Sequence, residues 1–287
     1  MTEEEKLQKI KKIEEIKQLD FTRDNEFFID PYRITVRDWK YGKIAREKII
    51  NFFDEFFENV KDDNVRNILI QGEHLHEINA TYLGYSSGEA NPRGKGFSQT
   101  DLLTIYKESE KVSGLIDDIR DILVCARNVG FDKVSDLTTN IIYEELLQYT
   151  HDINKEYSLE LEEKTVNKWI FNSDQKRWER KPKQVLYLNQ KEILFVPEKI
   201  AKETELFSYD SFYENLVIPF YKVNAAIYNL VRTLKDGKTE KPNIKLIKQK
   251  YPKCKATVIQ FKQEHPEEYK KYKDSLVNDY WTMRTIK

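Results

Sequence analysis

The residue types best suited to chemistry lie in one stretch of the sequence, residues 73–96, which reads EHLHEINATYLGYSSGEANPRGKG. Its glycines allow the backbone to approach a ligand closely and to turn amide groups toward an anion. Ser86, Arg93 and Lys95 add a hydroxyl group and two positive charges, and a predicted helix N-terminus at Ser98 follows. The stretch therefore predicts a phosphate-binding loop. It contains neither the GxxxxGK(S/T) nor the GxGxxG fingerprint, and a flexible surface loop has the same composition.

Two carboxylates are candidates for holding a metal ion. Glu77 stands near the start of this stretch, and Asp30 ends an apolar run immediately before Pro31. Carboxylate oxygens suit Mg²⁺ and Mn²⁺, so a divalent ion held by Asp30 and Glu77 is expected. An ordinary turn at the end of a strand would use Asp30 in the same place. His74 and His76 would share a face only on a strand, and with two other histidines in the chain a histidine zinc site is not expected.

Polar residues at the start of a predicted helix complete the candidate site. The sequence SDLTTN at residues 135–140 contains poor helix formers in succession, although the helix should bury one face. Asp136 and Asn140 are therefore expected to act as catalytic residues that position substrate or a water molecule, together with Asp30 and Glu77. The alternative is a well-hydrogen-bonded helix start in which Asp136 is the N-cap.

The spacing of apolar residues predicts a mostly helical α+β protein with a small central antiparallel sheet. Helical periodicity is clear at residues 43–60, whereas short β-type runs separated by polar turns lie between residues 165 and 196. We expect an N-terminal helix within residues 1–20, a main α+β domain over residues 21–232 and a basic helical tail over residues 233–287.

Composition excludes several classes of protein. Hydrophobic residues make up 39% of the 287 residues and aromatic residues 13%, with a net charge of -1, so the chain should fold rather than remain disordered. No apolar run reaches the roughly 18 residues that cross a bilayer, and the charged N-terminus does not resemble a signal peptide. Two cysteines cannot form a disulfide framework. We therefore expect a soluble cytoplasmic protein without a membrane partner.

Positive charge is concentrated in two places. Residues 233–287 carry 14 Lys and Arg against 7 Asp and Glu, and a second basic cluster with an interleaved aromatic spans residues 176–183. Lys and Arg neutralise phosphates and an aromatic ring stacks on an unpaired base, so nucleic acid is a candidate partner. A charged hairpin rim and a solvated helix face would have the same composition.

Five short motifs lie within residues 26–200: FFIDPYRI, EINATYLGYSSG, RGKG, SDLTTNII and EILFVPEK. Together they resemble a family of uncharacterised bacterial proteins associated with phage-defence loci. The resemblance implies a cytoplasmic bacterial protein that is a nuclease effector or an accessory subunit, and it assigns no catalytic residue. A nuclease motif of the PD-(D/E)xK type is not evident. Glu198 and Lys199 are adjacent rather than two apart, and Glu162 and Lys164 lie in a charge-dense run.

Two hypotheses follow from these features. The first is a metal-dependent nuclease, or another phosphoryl-directed effector of antiviral defence, in which Ser86, Arg93 and Lys95 bind phosphate. The second is a non-catalytic subunit that binds nucleic acid or a protein partner of a defence complex. Cleavage that requires Mg²⁺ or Mn²⁺ supports the first hypothesis, whereas salt-sensitive binding without turnover supports the second.

Overall fold

The computed structural model describes residues 1–34, 39–84, 96–109, 116, 119–203, 207–234, 237 and 240–276. About half of the chain is helical and the strands form small antiparallel sheets, so the fold is α+β, as the sequence predicts. In the described part of the chain, no helix combines the length and the apolar character that crossing a membrane requires. Contacts divide the chain into two compact units. Unit 1 comprises residues 1–106 and 128–205, and unit 2 comprises residues 107–127 and 206–287.

The described part of the chain contains helices and short strands. The helices are α1 (Glu3–Ile10), α2 (Gly42–Lys61), α3 (Val65–Gly72), α4 (Gln99–Lys107), α5 (Ile122–Cys125), α6 (Phe131–Ile141), α7 (Tyr143–Glu156), α8 (Tyr209–Phe212), α9 (Ile218–Val223), α10 (Ile244–Lys250), α11 (Lys255–Glu264) and α12 (Pro266–Ser275). The strands are β1 (Phe28–Ile29), β2 (Glu162–Asn172), β3 (Arg177–Leu188), β4 (Lys191–Glu192), β5 (Ala201–Lys202), β6 (Val231–Thr233) and β7 (Glu240–Pro242).

Helix α2 supplies much of the aromatic core of unit 1. Its four phenylalanines between residues 52 and 57 are buried, as their spacing predicts. Phe52 packs edge-on against Phe171 of β2, with ring centroids 5.2 Å apart. Ile44, at the start of the helix, is about half exposed, so the apolar face does not begin with the first turn.

A long β-hairpin crosses this core. Strands β2 and β3 pair antiparallel along their whole length, from Glu162 opposite Tyr187 to Asn172 opposite Arg177, and β4 pairs with the end of β3. Residues 193–196, which the sequence predicts as a strand, are buried but follow β4 without forming one. Their backbone hydrogen bonds go to different segments, and such a short apolar run does not reveal its partners.

The N-terminal helix is shorter than the sequence predicts. It ends at Ile10, although Ile13 and Ile16 continue the apolar spacing and are buried. The side-chain amide of Gln18 donates to the carbonyl groups of Ile10 and Ile13, and Ile16 pairs with Pro197 as an antiparallel bridge. Tertiary hydrogen bonds therefore replace the last helical turns.

Unit 2 contains a buried ionic network. The carboxylate of Asp121 is fully buried, accepts a hydrogen bond from the Tyr269 hydroxyl (2.8 Å), and lies 3.2 Å from Lys262 Nζ and 3.0 Å from Lys273 Nζ. Burial raises the pKa of the neighbouring Cys125 thiol to about 12, so this cysteine is a neutral core residue at ordinary pH. These contacts join the turn before α5 to α11 and α12.

Candidate functional site

Helix α6 carries a polar stripe that the candidate site is built on. Asp132, Asp136 and Asn140 are spaced by four residues, so they share one face of the helix, whereas Leu137 is buried on another. The helix begins at Phe131, five residues before Asp136. Asp136 is therefore not the N-cap, and the interpretation that confined it to capping is wrong.

The other polar residues of α6 have structural partners. The hydroxyl groups of Thr138 and Thr139 each donate to the carbonyl four residues earlier, at 2.7 Å, which satisfies buried polar groups within the helix. Asn140 reaches further. Its amide donates to the Asp136 carbonyl (2.8 Å) and to the His76 carbonyl (2.6 Å), and so ties the segment next to Glu77 to the helix.

Glu77 lies against Gly96, the last residue of the glycine-rich stretch that spans residues 84–96. A Cβ atom at Gly96 would lie 2.4 Å from the Glu77 nitrogen and 2.6 Å from its Cα, so only glycine fits there. The next residue, Phe97, is fully buried, and its backbone N–H donates to the Asp136 carboxyl group. The chain thus returns from the glycine-rich stretch between Glu77 and Asp136.

The near end of the same stretch lies at Asn25. The Gly84 N–H donates to the Asn25 carbonyl and the Asn25 N–H to the Tyr82 carbonyl, both at 2.9 Å. Asp24 precedes Asn25, and its charge acts on both Glu77 and Asp136. Both ends of the stretch therefore lie beside one group of carboxylates. Its predicted phosphate-binding residues lie outside the described residues, and they are Ser86, Arg93 and Lys95.

Asp24, Glu77, Asp132 and Asp136 form what we call the carboxylate cluster. Burial, together with the charges of Glu77 and Asp132, raises the pKa of Asp136 to about 8, although the Phe97 N–H opposes the shift. Burial also raises the pKa of Glu77, followed by the charges of Asp24 and Asp132. Because the charge of Glu77 is among the causes of the raised pKa of Asp136, the carboxyl group that holds its proton most strongly in this cluster is Asp136.

Asp30 has a different environment. It is buried at the end of β1, and its carboxylate accepts hydrogen bonds from the Tyr32 N–H (2.9 Å) and from Arg33 Nε (3.1 Å). These contacts cap a short 3₁₀ turn, Pro31–Arg33. The charges that act on Glu77 come from Asp24 and Asp132 instead. The structure thus brings Glu77, Asp136 and Asn140 together, and the pairing of Asp30 with Glu77 around a metal ion stays a prediction.

The described side chains do not form a metal-binding cage. Among residues that the structure describes, no group of three or more His, Cys, Asp or Glu is arranged to hold a metal ion. His74 and His76 do not face each other as a ligand pair, because the His74 ring stacks on Trp169 and His76 Nδ1 lies 2.9 Å from the His74 carbonyl.

The basic cluster at residues 176–183 is largely neutralised by neighbouring carboxylates. Lys176 pairs with two glutamates of α2, Lys181 pairs with Glu179 at 2.7 Å, and Lys183 pairs with Glu144. Arg180 is exposed and has no ion pair among the described residues. Most of this cluster is thus a charged hairpin rim, which was the alternative to a nucleic-acid-binding surface.

No curated protein and no solved structure matches this chain. A family model described as a domain of unknown function, DUF8370, matches residues 7–208. The match includes the whole carboxylate cluster and ends three residues beyond the last residue of unit 1. The chain therefore belongs to the DUF8370 family.

Proposed function

We propose that unit 1 is a phosphodiester-directed hydrolase that acts on nucleic acid. The observation that supports this function best is Asp136, which stays protonated up to about pH 8 beside Glu77, where the chain returns from the glycine-rich stretch at Gly96. A general acid must hold its proton at the working pH, and burial with nearby negative charge is how proteins achieve this for a carboxyl group. Carboxyl groups perturbed in this way concentrate at catalytic sites.

The two carboxyl groups take complementary roles in this proposal. Ionised Glu77 accepts a proton from the attacking water, and Asp136 donates its proton to the leaving oxygen as the phosphorus–oxygen bond breaks. A proton then passes from Glu77 to Asp136 through solvent, which restores the starting state. Asn140 is a positioning residue, because its hydrogen bond to the His76 carbonyl holds the Glu77 segment against α6. Phosphate binding is assigned to Ser86, Arg93 and Lys95.

A cleavage assay tests this assignment. We would incubate the protein with single-stranded and duplex DNA and RNA, in Mg²⁺, Mn²⁺ or EDTA, and compare Glu77→Gln, Asp136→Asn and Asp30→Ala. Each of the first two changes should lower the rate roughly 100-fold or more, the usual contribution of a general acid or base. Asp174→Asn, in the exposed hairpin turn, is the matched control and should cleave normally.

The same assay distinguishes cleavage that requires a metal ion from cleavage by the acid–base pair alone. Undiminished cleavage by Glu77→Gln and Asp136→Asn refutes the assignment. Activity that EDTA abolishes and Asp30→Ala removes would support the metal ion that the sequence predicts at Asp30 and Glu77, with Mg²⁺ or Mn²⁺ bound through few carboxylates and several waters. Activity that survives both EDTA and Asp30→Ala would leave the acid–base pair as the whole site.

One feature of unit 2 favours a second candidate, a binding subunit without catalysis. Val223 and Ile227 are 85% and 75% exposed, and Lys245 and Lys248 are exposed on α10 without an ion pair among the described residues. Exposed apolar side chains and unpaired lysines in the same unit suit binding to a partner with negative charge. Salt-sensitive nucleic-acid binding without turnover, lost in Lys245→Gln and Lys248→Gln, would favour this function over hydrolysis.

We place either activity in bacterial antiviral defence, in the cytoplasm, on the motif resemblance. The supporting features are the quoted motifs, which lie within the match to the family. The test is the plating efficiency of phage on cells that express the natural chain or Asp136→Asn. Protection that requires Asp136 supports a catalytic effector, whereas equal plating on both strains and on cells without the protein removes the defence role.

A further inference from the structure

An exposed tryptophan on the hairpin of unit 1 is held in a fixed orientation. Trp169 of β2 is 40% exposed, whereas Phe171, two residues further along the same strand, is 1% exposed. The imidazole of His74 stacks on one face of the indole, with ring centroids 3.6 Å apart and planes within 12°. Since His74 covers one face, the exposed area of Trp169 lies on the opposite face and the ring edge.

The support behind Trp169 is anchored in the core. The His74 ring also meets the edge of Trp178, at 6.3 Å between centroids. Trp178 Nε1 donates to the Gln71 carbonyl at 2.8 Å, and the Gln71 amide in turn donates to the Phe52 carbonyl in α2. A ring fixed before binding loses little conformational entropy when a ligand stacks on it. Trp169 is thus a preorganised stacking surface.

A cation stands next to this surface. Arg180 is the cross-strand partner of Trp169, so both side chains project from the same face of the hairpin. Arg180 is exposed and has no ion pair in the described part of the chain, whereas Arg177 and Lys181 on the same strand both pair with Glu179. A free guanidinium beside an open aromatic face matches the two parts of a nucleotide, the phosphate and the base.

The stacking surface is also close to the carboxylate cluster. His74 and Glu77 are separated by three peptide units, so their Cα atoms are at most about 11 Å apart. Successive phosphates of a strand in a duplex advance by about 3.4 Å, so this distance corresponds to a few nucleotides. A strand of several nucleotides is therefore long enough to span the separation between the His74 and Glu77 Cα atoms.

We propose that Trp169 and Arg180 bind an unpaired base and its phosphate, so that the substrate of unit 1 is single-stranded nucleic acid. Duplex bases are already stacked and offer no free face to the indole, whereas every unpaired base does. The cleavage of the bound strand rests on the function proposed above, but the binding itself does not.

The test is binding of oligothymidylate to the full chain, measured by tryptophan fluorescence and by the fluorescence anisotropy of a labelled strand. Trp169→Ala should weaken binding roughly 5- to 150-fold, which corresponds to the loss of one base–aromatic stack. Trp169→Phe keeps a ring and should stay within a few-fold of the natural chain. Arg180→Gln should weaken binding and reduce its salt dependence, whereas Arg177→Gln, which removes a paired arginine of the same strand, should change neither.

Several results would overturn the proposal. One is unchanged binding by a Trp169→Ala variant that has the same unfolding midpoint as the natural chain. Another is equal binding of a duplex, or of polyglutamate, with the same dependence on Trp169. Asp136→Asn separates this inference from the proposed function, because it should lose hydrolysis of bis(p-nitrophenyl) phosphate and still bind oligothymidylate. Arg177→Gln should keep both. Oligothymidylate binding that needs Trp169, with no hydrolysis at all, would sustain the inference and reject the hydrolase.

Discussion

Replacing Asp136 with asparagine should stabilise unit 1 while removing its proposed activity. Between its ordinary pKa of 3.8 and the folded value of about 8, Asp136 keeps its proton in the folded chain and releases it in the unfolded chain. The folded state then binds more protons, so the free energy of unfolding falls as the pH rises through this window. Asparagine has no proton to lose and can still accept the Phe97 N–H.

The size of the effect follows from the shift. Each pH unit inside the window changes stability by about 1.4 kcal/mol, so the loss between pH 4 and pH 7 is at most about 4 kcal/mol. The Asp136 side chain is partly exposed, and solvent screening reduces this value. We therefore expect the free energy of unfolding of Asp136→Asn to be about 2 kcal/mol higher than that of the natural chain at pH 7. Near pH 4 the two free energies should be equal.

Urea unfolding at a series of pH values measures this difference. Three of the four tryptophans, Trp39, Trp169 and Trp178, lie in unit 1, so most of the tryptophan fluorescence follows the unfolding of that unit. Asp132→Asn is the matched control, because it removes an exposed carboxylate from the same helical stripe and should give a smaller gain. The reasoning is refuted if Asp136→Asn is less stable than the natural chain at pH 8, or if its advantage does not depend on pH.

Three further changes test other parts of the structure. Asp121→Ala leaves two buried lysines facing an empty position and should destabilise unit 2 by about 3 to 5 kcal/mol, measured by urea unfolding with circular dichroism. Gly96→Ala forces a Cβ atom into the Glu77 backbone and should reduce stability by about 1 to 3 kcal/mol and remove activity. Gly237→Asn is its control: no neighbour lies within 4 Å, asparagine tolerates the positive φ of 69°, and activity should be unchanged. The rate of hydrolysis should fall as the pH rises above about 8, because Asp136 then loses the proton it donates, and a rate that keeps rising through pH 9 contradicts its role as the acid.

Local patterns in the sequence predicted much of the fold. The phenylalanines of α2 are buried because their spacing matches one face of a helix, and the β-type runs at Trp169–Phe171 and at residues 185–188 lie in the paired strands of one hairpin. The same spacing continues past α1, yet the helix ends at Ile10 because hydrogen bonds to distant residues replace it. Periodicity records which side of an element is apolar, and it does not record where a competing partner ends that element.

The residues of the candidate site were likewise predictable from the sequence only in part. The sequence predicted Asp136 and Asn140 as polar residues of one helix, whereas Asp132 joins them only because the helix begins earlier, at Phe131. The glycines beside Glu77 indicated a close backbone approach, which Gly96 makes. No sequence pattern connects Asp24 with this stripe, because more than 100 residues separate Asp24 from Asp136. Asp30, in contrast, resembled a site residue by its position after an apolar run, although its described contacts are those of a turn.

The sequence by itself determined the fold class, the apolar faces of the helices and the residue types available for chemistry, because each of these depends on neighbours a few positions away. Only the tertiary structure decided which carboxylates share a site and which basic residues are already paired. Charge interactions act through space and strengthen with burial, so the raised pKa of Asp136 arises from the fold and from no single stretch of sequence.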